Sequence, residues 1–289
     1  HRWNRPVSSS RSASSMASPR PFSANQRAIR DLPERGGPVS TATWNVDTLS
    51  HGSHCTGVIA GLDSATGIRG FAPDAEIHAC KLFPGGQVSQ LIEALEYCIE
   101  HQIDVVNLSL GGAQPSEALE QQIVRARQAG IACIVAAGNS GGPVQYPGSS
   151  PNVLTVAAIG RINEFPGDSY HTQTLTPQID VNGFFAARFS CYGPEIAVCA
   201  PGVAITSSVP DNNFAAWDGT SMATPHVTGL AALATHEADR VLRWMELLTA
   251  CLFQVLGGDG RGPDDELRQL RASLHQLRQR MAASGAESV

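Results

Sequence analysis

The sequence predicts an α/β domain: a doubly wound, mostly parallel sheet with helices on both of its faces. Short apolar runs recur along the chain and contain few polar residues, which is typical of strands buried in a parallel sheet. Amphipathic helical patterns separate these runs, and Gly, Pro and Asn mark the junctions. Because ligands of such sheets bind at the carboxyl ends of the strands, we expect a functional site there.

Five apolar runs predict strands, at residues 76–83, 104–110, 131–137, 153–159 and 195–201. Residues 88–100 predict a helix whose apolar side chains share one face. Residues 116–129 predict a second helix, which starts after Pro115 and ends at Gly130. The long polar connection over residues 161–188 is expected to be a surface insertion.

The composition excludes two classes of partner. The 289 residues carry 26 acidic and 20 basic side chains, a net charge of −6, whereas nucleic-acid-binding domains normally present a basic surface. No apolar run is long enough to cross a membrane, since the best candidate, residues 242–256, is interrupted by Arg243, Glu246 and Gln254. We therefore expect neither nucleic acid nor membrane as a partner.

The seven cysteines, an odd number, argue against a disulfide framework, although a single bridge stays open. Three of them, Cys80, Cys133 and Cys199, lie inside apolar runs, where a thiol acts as a small core residue. No CxxC pair or Cys/His ligand spacing occurs, so no metal site is predicted from these residues.

The chain divides into three parts. Residues 1–40 are rich in Ser and Pro, lack hydrophobic periodicity and are expected to be disordered, whereas residues 41–256 form the expected folded domain. Residues 257–289 start as a Gly-rich hinge and continue as a charged helix, Asp264–Met281, with leucines at coiled-coil spacing. This helix is too short to be stable alone, so we expect it to pack on the body or to self-associate. The first residue is His and no charged-then-apolar leader follows, so the cellular compartment is left open.

Two segments place candidate polar side chains beside predicted apolar elements. His51 and His54, in HGSHCTGVIAG (51–61), open a small-residue helix after a glycine-bounded turn. Read alone, they could be metal ligands or hydrogen-bonded core histidines, and the lack of a nearby third ligand favours core histidines. Asn139 follows a buried strand, where its amide could simply form a turn or could donate to a developing oxyanion.

The segment GTSMATPHVTG (219–229) carries the clearest signal. Ser221 begins a helix rich in small residues, and Pro225 is tolerated because it lies near the first turn. A serine there sits at the positive end of the helix dipole, beside an unpaired backbone N–H. It could be a nucleophile that also supplies half of an oxyanion hole, or an ordinary N-cap serine.

Together, in the order His, Asn, Ser, these segments resemble the subtilisin-like serine peptidases (subtilases), in particular the proteinase K-like and bacterial branch. GTSMATPHVTG is similar, almost letter for letter, to the serine motif of that family, and HGSHCTG is similar to its histidine motif. DVVNLSLGG (104–112) and AAGN (136–139) resemble segments that line its specificity pocket. The similarity extends over about residues 45–238.

The resemblance implies a role for each matched polar residue. Ser221 would be the nucleophile, and His51 would act first as general base and then as general acid. Asn139 and the Ser221 N–H would form the oxyanion hole. His54 and His226 would be structural. Cys55, which follows His54, resembles the cysteine found at this place in the proteinase K-like branch. We expect Cys55 to be a buried packing residue.

The resemblance also implies substrate-binding residues. One pocket wall would consist of Ser109, Leu110, Gly111 and Gly112, and the other of Ala136, Ala137 and Gly138. Gly85 and Gly86 fall where the family offers an edge strand to the peptide. Because the wall residues are small, we expect a roomy, apolar slot. No cofactor is required, and structural calcium, common in the family, stays open because no acidic loop here has a readable ligand spacing.

The aspartate of the family has no match in this sequence. The family carries it in a D-[ST]-G context at the end of a first apolar strand, upstream of the histidine. Asp47 lies only four residues before His51, and Asp31 follows no apolar strand and precedes no glycine. Either the first strand and its aspartate are missing from this sequence, or the enzyme has decayed. The initial His and the Ser-, Arg- and Pro-rich leader favour the first explanation.

The predicted function is a serine endopeptidase that hydrolyses peptide bonds through an acyl-enzyme, in a truncated or weakened catalytic domain, with polypeptides as substrates. The alternative is a non-catalytic relative of these enzymes that keeps the groove and binds peptides. A dinucleotide-binding domain is disfavoured, because no GxGxxG follows the first strand.

Overall fold

The computed structural model describes residues 47–62, 67–112 and 114–235. The expected boundaries of the domain at residues 41 and 256, the leader over 1–40 and the Asp264–Met281 helix lie outside these ranges. Within them, no helix is long and apolar enough to cross a bilayer.

A five-stranded, mostly parallel sheet forms the centre of the fold. Its strands are β1 Val105–Leu108, β2 Ala132–Ala136, β3 Leu154–Arg161, β4 Phe184–Ala186 and β5 Ile196–Pro201. Strands β1, β2, β3 and β5 are parallel to their neighbours, and the short β4 pairs antiparallel with the end of β3. A separate antiparallel hairpin consists of β6 Ile205–Val209 and β7 Asn213–Trp217.

In the ranges that the structure describes, four α-helices surround these strands: α1 His51–Ala60, α2 Val88–Glu100, α3 Glu117–Gln128 and α4 over residues 220–235. The Ser116 hydroxyl caps α3 by accepting a hydrogen bond from the Leu119 N–H at 3.4 Å. Gly130, just after this helix, has φ +87°, which a residue with a Cβ rarely adopts. The predicted start and stop of this helix are therefore correct to within one residue.

Side chains of β2 alternate between two apolar clusters, because successive residues of a strand point to opposite faces. Cys133 and Val135 pack with Leu119 and Ile123 of α3 and with α2. Ile134 packs instead with Val156, Phe185 and, from α4, Ala223. The sheet is thus covered on both faces, and the predicted α/β class is confirmed.

The first predicted strand, residues 76–83, is wrong: this segment has no regular secondary structure. A strand is stable only when its backbone groups are paired. In the described part of the sheet β1 pairs with β2 alone, so residues 76–83 have no ladder partner there. The other four predicted strands are present with shifted ends.

The connection over residues 161–188 is more than a surface insertion. It holds a 3₁₀ helix, Tyr170–Thr174, and the strand β4, whose Phe185 is 2% exposed. The hairpin β6–β7 was not predicted either, because its strands are short and partly polar. Asp211 and Asn212, both with positive φ at its turn, were the available signal.

The cysteines of the described ranges, Cys55, Cys80, Cys98, Cys133, Cys191 and Cys199, are free thiols. Cys133 is buried, as predicted. The prediction that Cys199 is a core residue is wrong, since it is exposed. It lies on β5, whose run of exposed residues at 197–199 is not covered by the described part of the chain.

Replacing Ile123 by alanine should lower the free energy of unfolding by about 2–5 kcal/mol, the usual cost of removing a fully buried aliphatic side chain. Ile123 is 0% exposed and packs between α3 and the sheet. Urea denaturation followed by circular dichroism measures the change. Gln121→Ala, at an exposed position of the same helix, should stay within about 0.5 kcal/mol. Equal losses in both variants would contradict the assigned core.

Candidate active site

Ser221 lies in the first turn of α4, where the turn before the helix is held by hydrogen bonds. The Met222 N–H donates to Gly219 O at 3.0 Å, and the Gly219 N–H donates to Gly202 O at 2.8 Å. The Ser221 N–H belongs to the first turn of the helix, whose amides lack intrahelical acceptors. The Ser221 hydroxyl donates to Ser109 O at 3.3 Å, so it must rotate to reach a base.

Asn139 follows β2 and reaches the same turn. Its Oδ1 accepts hydrogen bonds from the Thr220 N–H at 2.9 Å and the Thr220 hydroxyl at 2.8 Å. These two donors fix the orientation of the amide, because only the oxygen can accept. A Cβ built on Gly219 would lie 3.7 Å from Asn139 Nδ2, so the donor end of the amide faces the nucleophile turn.

His51 is the first residue of α1 and meets Ser221 through a shared neighbour, Cys55. The Cys55 Sγ lies 4.0 Å from His51 Nδ1 and donates to Ser221 O at 3.5 Å. Segments far apart in the sequence are thereby brought to one place. Burial raises the pKa of the Cys55 thiol to about 11, so the thiol is neutral near pH 7. Its surroundings fit the predicted packing role.

Asp47 acts on His51 through its charge, while its carboxylate caps α1. Its Oδ2 accepts from the Ser53 N–H at 2.8 Å. Burial lowers the pKa of His51, and the negative charge of Asp47 offsets part of this effect. Within the described ranges no carboxylate is hydrogen-bonded to the His51 ring, and Asp31 lies outside them.

For a reaction in which neutral His51 takes the proton of Ser221, the acid limb of the pH profile should lie below pH 6.5, because burial lowers the pKa of His51. Asp47→Asn keeps an acceptor for the Ser53 N–H but removes the charge that raises this pKa. The limb should therefore move to still lower pH. The measurement is the rate of covalent labelling between pH 4.5 and 8.

Glu117→Gln is the control for this variant. It removes one negative charge from α3 and should leave the acid limb of the pH profile unchanged. An acid limb above pH 6.5 in the parent, or an upward shift in Asp47→Asn, would disprove the assigned electrostatics.

The other two histidines of the motifs serve the fold. His54 is fully buried, and its Nε2–H donates to Ile205 O at 2.9 Å and Ala215 O at 3.2 Å in the β6–β7 hairpin. Its ring also stacks on Trp217, with centroids 4.7 Å apart. His226 donates from Nδ1 to Met222 O at 2.8 Å. Burial lowers the pKa of both rings, which favours the neutral form expected of structural histidines.

A cleft of about 410 Å³ opens beside Ser221 and Asn139. The residues that line it are Leu110, Gly111, Ala136, Gly138, Asn139, Ser140, Gln145, Thr220 and Ser221. Leu110, Gly111, Ala136 and Gly138 are four of the wall residues inferred from the sequence. They stand at the carboxyl ends of β1 and β2, where the α/β class places a ligand.

The remaining inferred binding residues do not line this cleft. The Ser109 hydroxyl donates to Ser221 O at 2.8 Å, so its side chain is bonded to the first turn of α4 and does not face the cleft. Ala137 is fully buried, and the Gly112 N–H donates to Tyr146 O at 3.0 Å.

The edge strand expected at Gly85 and Gly86 is not formed. Both glycines lie in the irregular segment just before α2. Gly85 has φ +86°, a conformation that interrupts an extended chain. The segment is therefore irregular in this structure, and the role of Gly85 and Gly86 in binding a peptide stays a prediction.

Gln145 and Ser140 are lining residues that the sequence reasoning missed. A Cβ on Gly138 would lie 2.5 Å from Gln145 Oε1, so the glycine makes room for this amide. The slot is consequently partly filled and polar, in contrast to the roomy, apolar slot predicted from its walls. No pattern around Gln145 signals this position, because only folding brings its loop over the strand ends.

The described residues contain no group of three or more His, Cys, Asp or Glu side chains that could hold a metal ion. Structural calcium therefore remains a prediction from the resemblance.

Comparison with known proteins identifies the family of the chain. The model of the subtilase family (Peptidase S8) matches residues 26–256. Subtilisin NAT from Bacillus subtilis subsp. natto is 38% identical over 215 residues, which are 70% of this chain and 51% of that protein. Subtilisin DY from Bacillus licheniformis is 36% identical over 213 residues, 70% of either chain. The matched part of the chain thus spans 51% of the first of these relatives and 70% of the second.

A solved structure, of a cold adapted subtilisin-like serine proteinase, matches with a TM-score of 0.51 and 29% identity. The match covers 65% of this chain and 61% of that one. Fold, motif order and similarity over most of the chain agree, and the chain belongs to the subtilase family of serine peptidases.

Proposed function

We propose that this chain is a serine endopeptidase that cleaves polypeptides through an acyl-enzyme on Ser221. The observation that carries the proposal is that a serine at a helix start and an oriented carboxamide line one cleft, while a histidine is linked to that serine through a shared cysteine. Ser221 and Asn139 both line the cleft, and His51 and Ser221 both contact Cys55. These are the groups that acyl transfer requires: a nucleophile, oxyanion donors and a base.

The reaction begins when the Ser221 hydroxyl turns from Ser109 O towards His51. Ser221 Oγ attacks the carbonyl carbon of the scissile peptide bond while His51 takes its proton. The negative oxygen of the tetrahedral intermediate then accepts hydrogen bonds from Asn139 Nδ2–H and the Ser221 N–H. The C–N bond breaks as His51 returns the proton to the leaving amine, and water hydrolyses the remaining ester by the same route.

A non-catalytic, peptide-binding function is the second candidate, and a specific observation favours it. The described residues supply no carboxylate for the His51 ring, and the Ser221 hydroxyl is engaged with Ser109 O. A histidine without an orienting partner is a weaker base. Such a protein would hold a peptide in the cleft without cleaving it.

Reaction with a fluorophosphonate probe tests the proposal, because the reagent phosphonylates only an activated serine. We expect one covalent adduct per chain, slowly formed and mapped to Ser221 by peptide mass spectrometry. Heat-unfolded protein and the Ser221→Ala variant serve as controls and should remain unlabelled. A folded parent that binds peptides but takes up no probe would overturn the peptidase proposal and select the binding function.

A further inference from the structure

The connection over residues 161–188 contacts the turn just before Ser221, which we call the nucleophile turn. The proposed mechanism assigns no role to this contact. The Tyr170 hydroxyl donates to Ala216 O at 2.7 Å. Next to it, His171 Nδ1 lies 2.6 Å from Asp218 Oδ1. Asp218 stands three residues before Ser221, so the 3₁₀ helix of this connection is bonded directly to the turn that presents the nucleophile.

The His171–Asp218 pair is buried and geometrically defined. The side chains are 7% and 12% exposed. A carboxylate can only accept, so His171 Nδ1 carries the hydrogen of this bond. Asp218 Oδ1 also accepts from the Ala204 N–H at 2.7 Å. Ala204 has φ +56°, an unfavourable conformation for a residue with a Cβ, and this bond helps to hold it.

Residues 218–220, which lead into α4, are each attached to another part of the fold by at least one hydrogen bond. Asp218 binds the 3₁₀ helix and the β5–β6 connection, and the Gly219 N–H donates to Gly202 O. Thr220 is held by Asn139. Ser221 follows at once, so the position of its hydroxyl depends on these attachments. Catalysis is sensitive to displacements of such a group by less than about 1 Å.

We propose that His171 and Asp218 are positioning residues that fix the nucleophile turn, so that Ser221 is held for attack. This proposal rests on the proposed peptidase function. Neither residue lines the cleft, so the pair acts through the backbone of residues 218–220. A loss of the bond should therefore slow the chemical step and leave binding unchanged.

Two variants separate the hydrogen bond from packing. His171→Phe keeps a ring against Tyr170, whose centroid lies 4.0 Å away, but removes the N–H donor. Asp218→Ala removes the acceptor, whereas Asp218→Asn retains an oxygen that can accept both hydrogen bonds. Glu164→Gln is the matched control, because it breaks an exposed ion pair with Arg161 in the same connection.

The first measurement is inactivation by the fluorophosphonate at a series of probe concentrations. It gives two values: the maximal rate of inactivation and the probe concentration at which the rate is half of that maximum. His171→Phe and Asp218→Ala should lower the maximal rate about tenfold, in line with the loss of a buried hydrogen bond to a charged group, and leave the half-saturating concentration unchanged. Asp218→Asn should retain the rate within about twofold, and Glu164→Gln should equal the parent. Parent-like maximal rates in both His171→Phe and Asp218→Ala would overturn the proposal.

Amide hydrogen exchange provides a second readout that does not need activity. His171→Phe and Asp218→Ala should speed exchange in peptides that cover 202–204 and 218–222, with α3 unchanged. Exchange that rises equally across the whole domain would show a merely structural role and refute positioning. If the parent takes up no probe, the peptidase function fails, and local exchange alone still decides whether the pair fixes the turn.

Discussion

Replacing His51 by alanine is expected to slow acylation of Ser221 only about 10²-fold. The scale comes from measurements on subtilisin itself, where loss of the histidine costs about 2 × 10⁶ in kcat and loss of the aspartate alone about 3 × 10⁴. These losses do not add, because the residues of a triad act as a unit. The described residues place no carboxylate on the His51 ring, and for a site of this composition we expect roughly the ratio of the two values to remain.

The measurement is hydrolysis of a chromogenic peptide ester by the folded parent and by His51→Ala, each titrated for folded protein by circular dichroism. Asp31→Asn is the informative companion variant. A 10⁶-fold loss in His51→Ala, together with a loss of about 10⁴ in Asp31→Asn, would show that Asp31 orients the imidazole and would disprove our expectation. Parent-like rates in Asp31→Asn agree with it.

Replacing Asn139 by leucine should lower kcat by about 10²–10³ with little change in KM. The value is the one known for a subtilisin that loses its oxyanion-hole amide. The physical reason is that Asn139 Nδ2–H donates to an oxygen that becomes negative only in the transition state. Its orientation is fixed beforehand by the two hydrogen bonds from Thr220 to Oδ1, so no reorganisation is needed during the reaction.

Two further variants separate the loss of the amide donor from the change in side-chain shape at residue 139. Asn139→Asp keeps the size of the side chain and an acceptor for Thr220 but removes the donor, so it should be as slow as the leucine variant. Thr220→Val removes one of the two bonds that orient the amide and should cost about tenfold or less. Steady-state kinetics on one peptide substrate compares all three. An Asn139→Asp enzyme with parent-like kcat would show that this amide is no oxyanion donor.

The positions of the groups that carry the proposed chemistry follow from short segments of the sequence, whereas their roles were inferred from the resemblance to the family and stay predictions. Ser221 lies at a helix start encoded by GTS and the small residues that follow, and His51 opens α1 within HGSHCTG. Asn139 follows β2 immediately. Hydrogen bonding at a helix start and at a strand end depends on neighbours in the chain, so the local sequence carries the information.

A predicted strand is present in the structure only where a neighbouring strand pairs with it. The apolar run at 76–83 has the composition of a strand but stays irregular, since nothing in the described sheet pairs with it. The short β6 and β7 have weak patterns, yet they form because they pair with each other. Strand formation is a property of two segments, and a single run cannot reveal it.

The sequence by itself determined the α/β class and most helix ends, because these follow from local periodicity and capping residues, and the roles of Ser221, His51 and Asn139 were predicted from motifs that resemble those of the family. Only the tertiary structure decided that Gln145 narrows the slot and that Cys55 joins His51 to Ser221. The hydrogen bond between His171 and Asp218 is likewise visible only in the tertiary structure. These contacts join elements that are far apart in the sequence. They form only when the strand order brings separate segments to one edge of the sheet, so no local pattern predicts them.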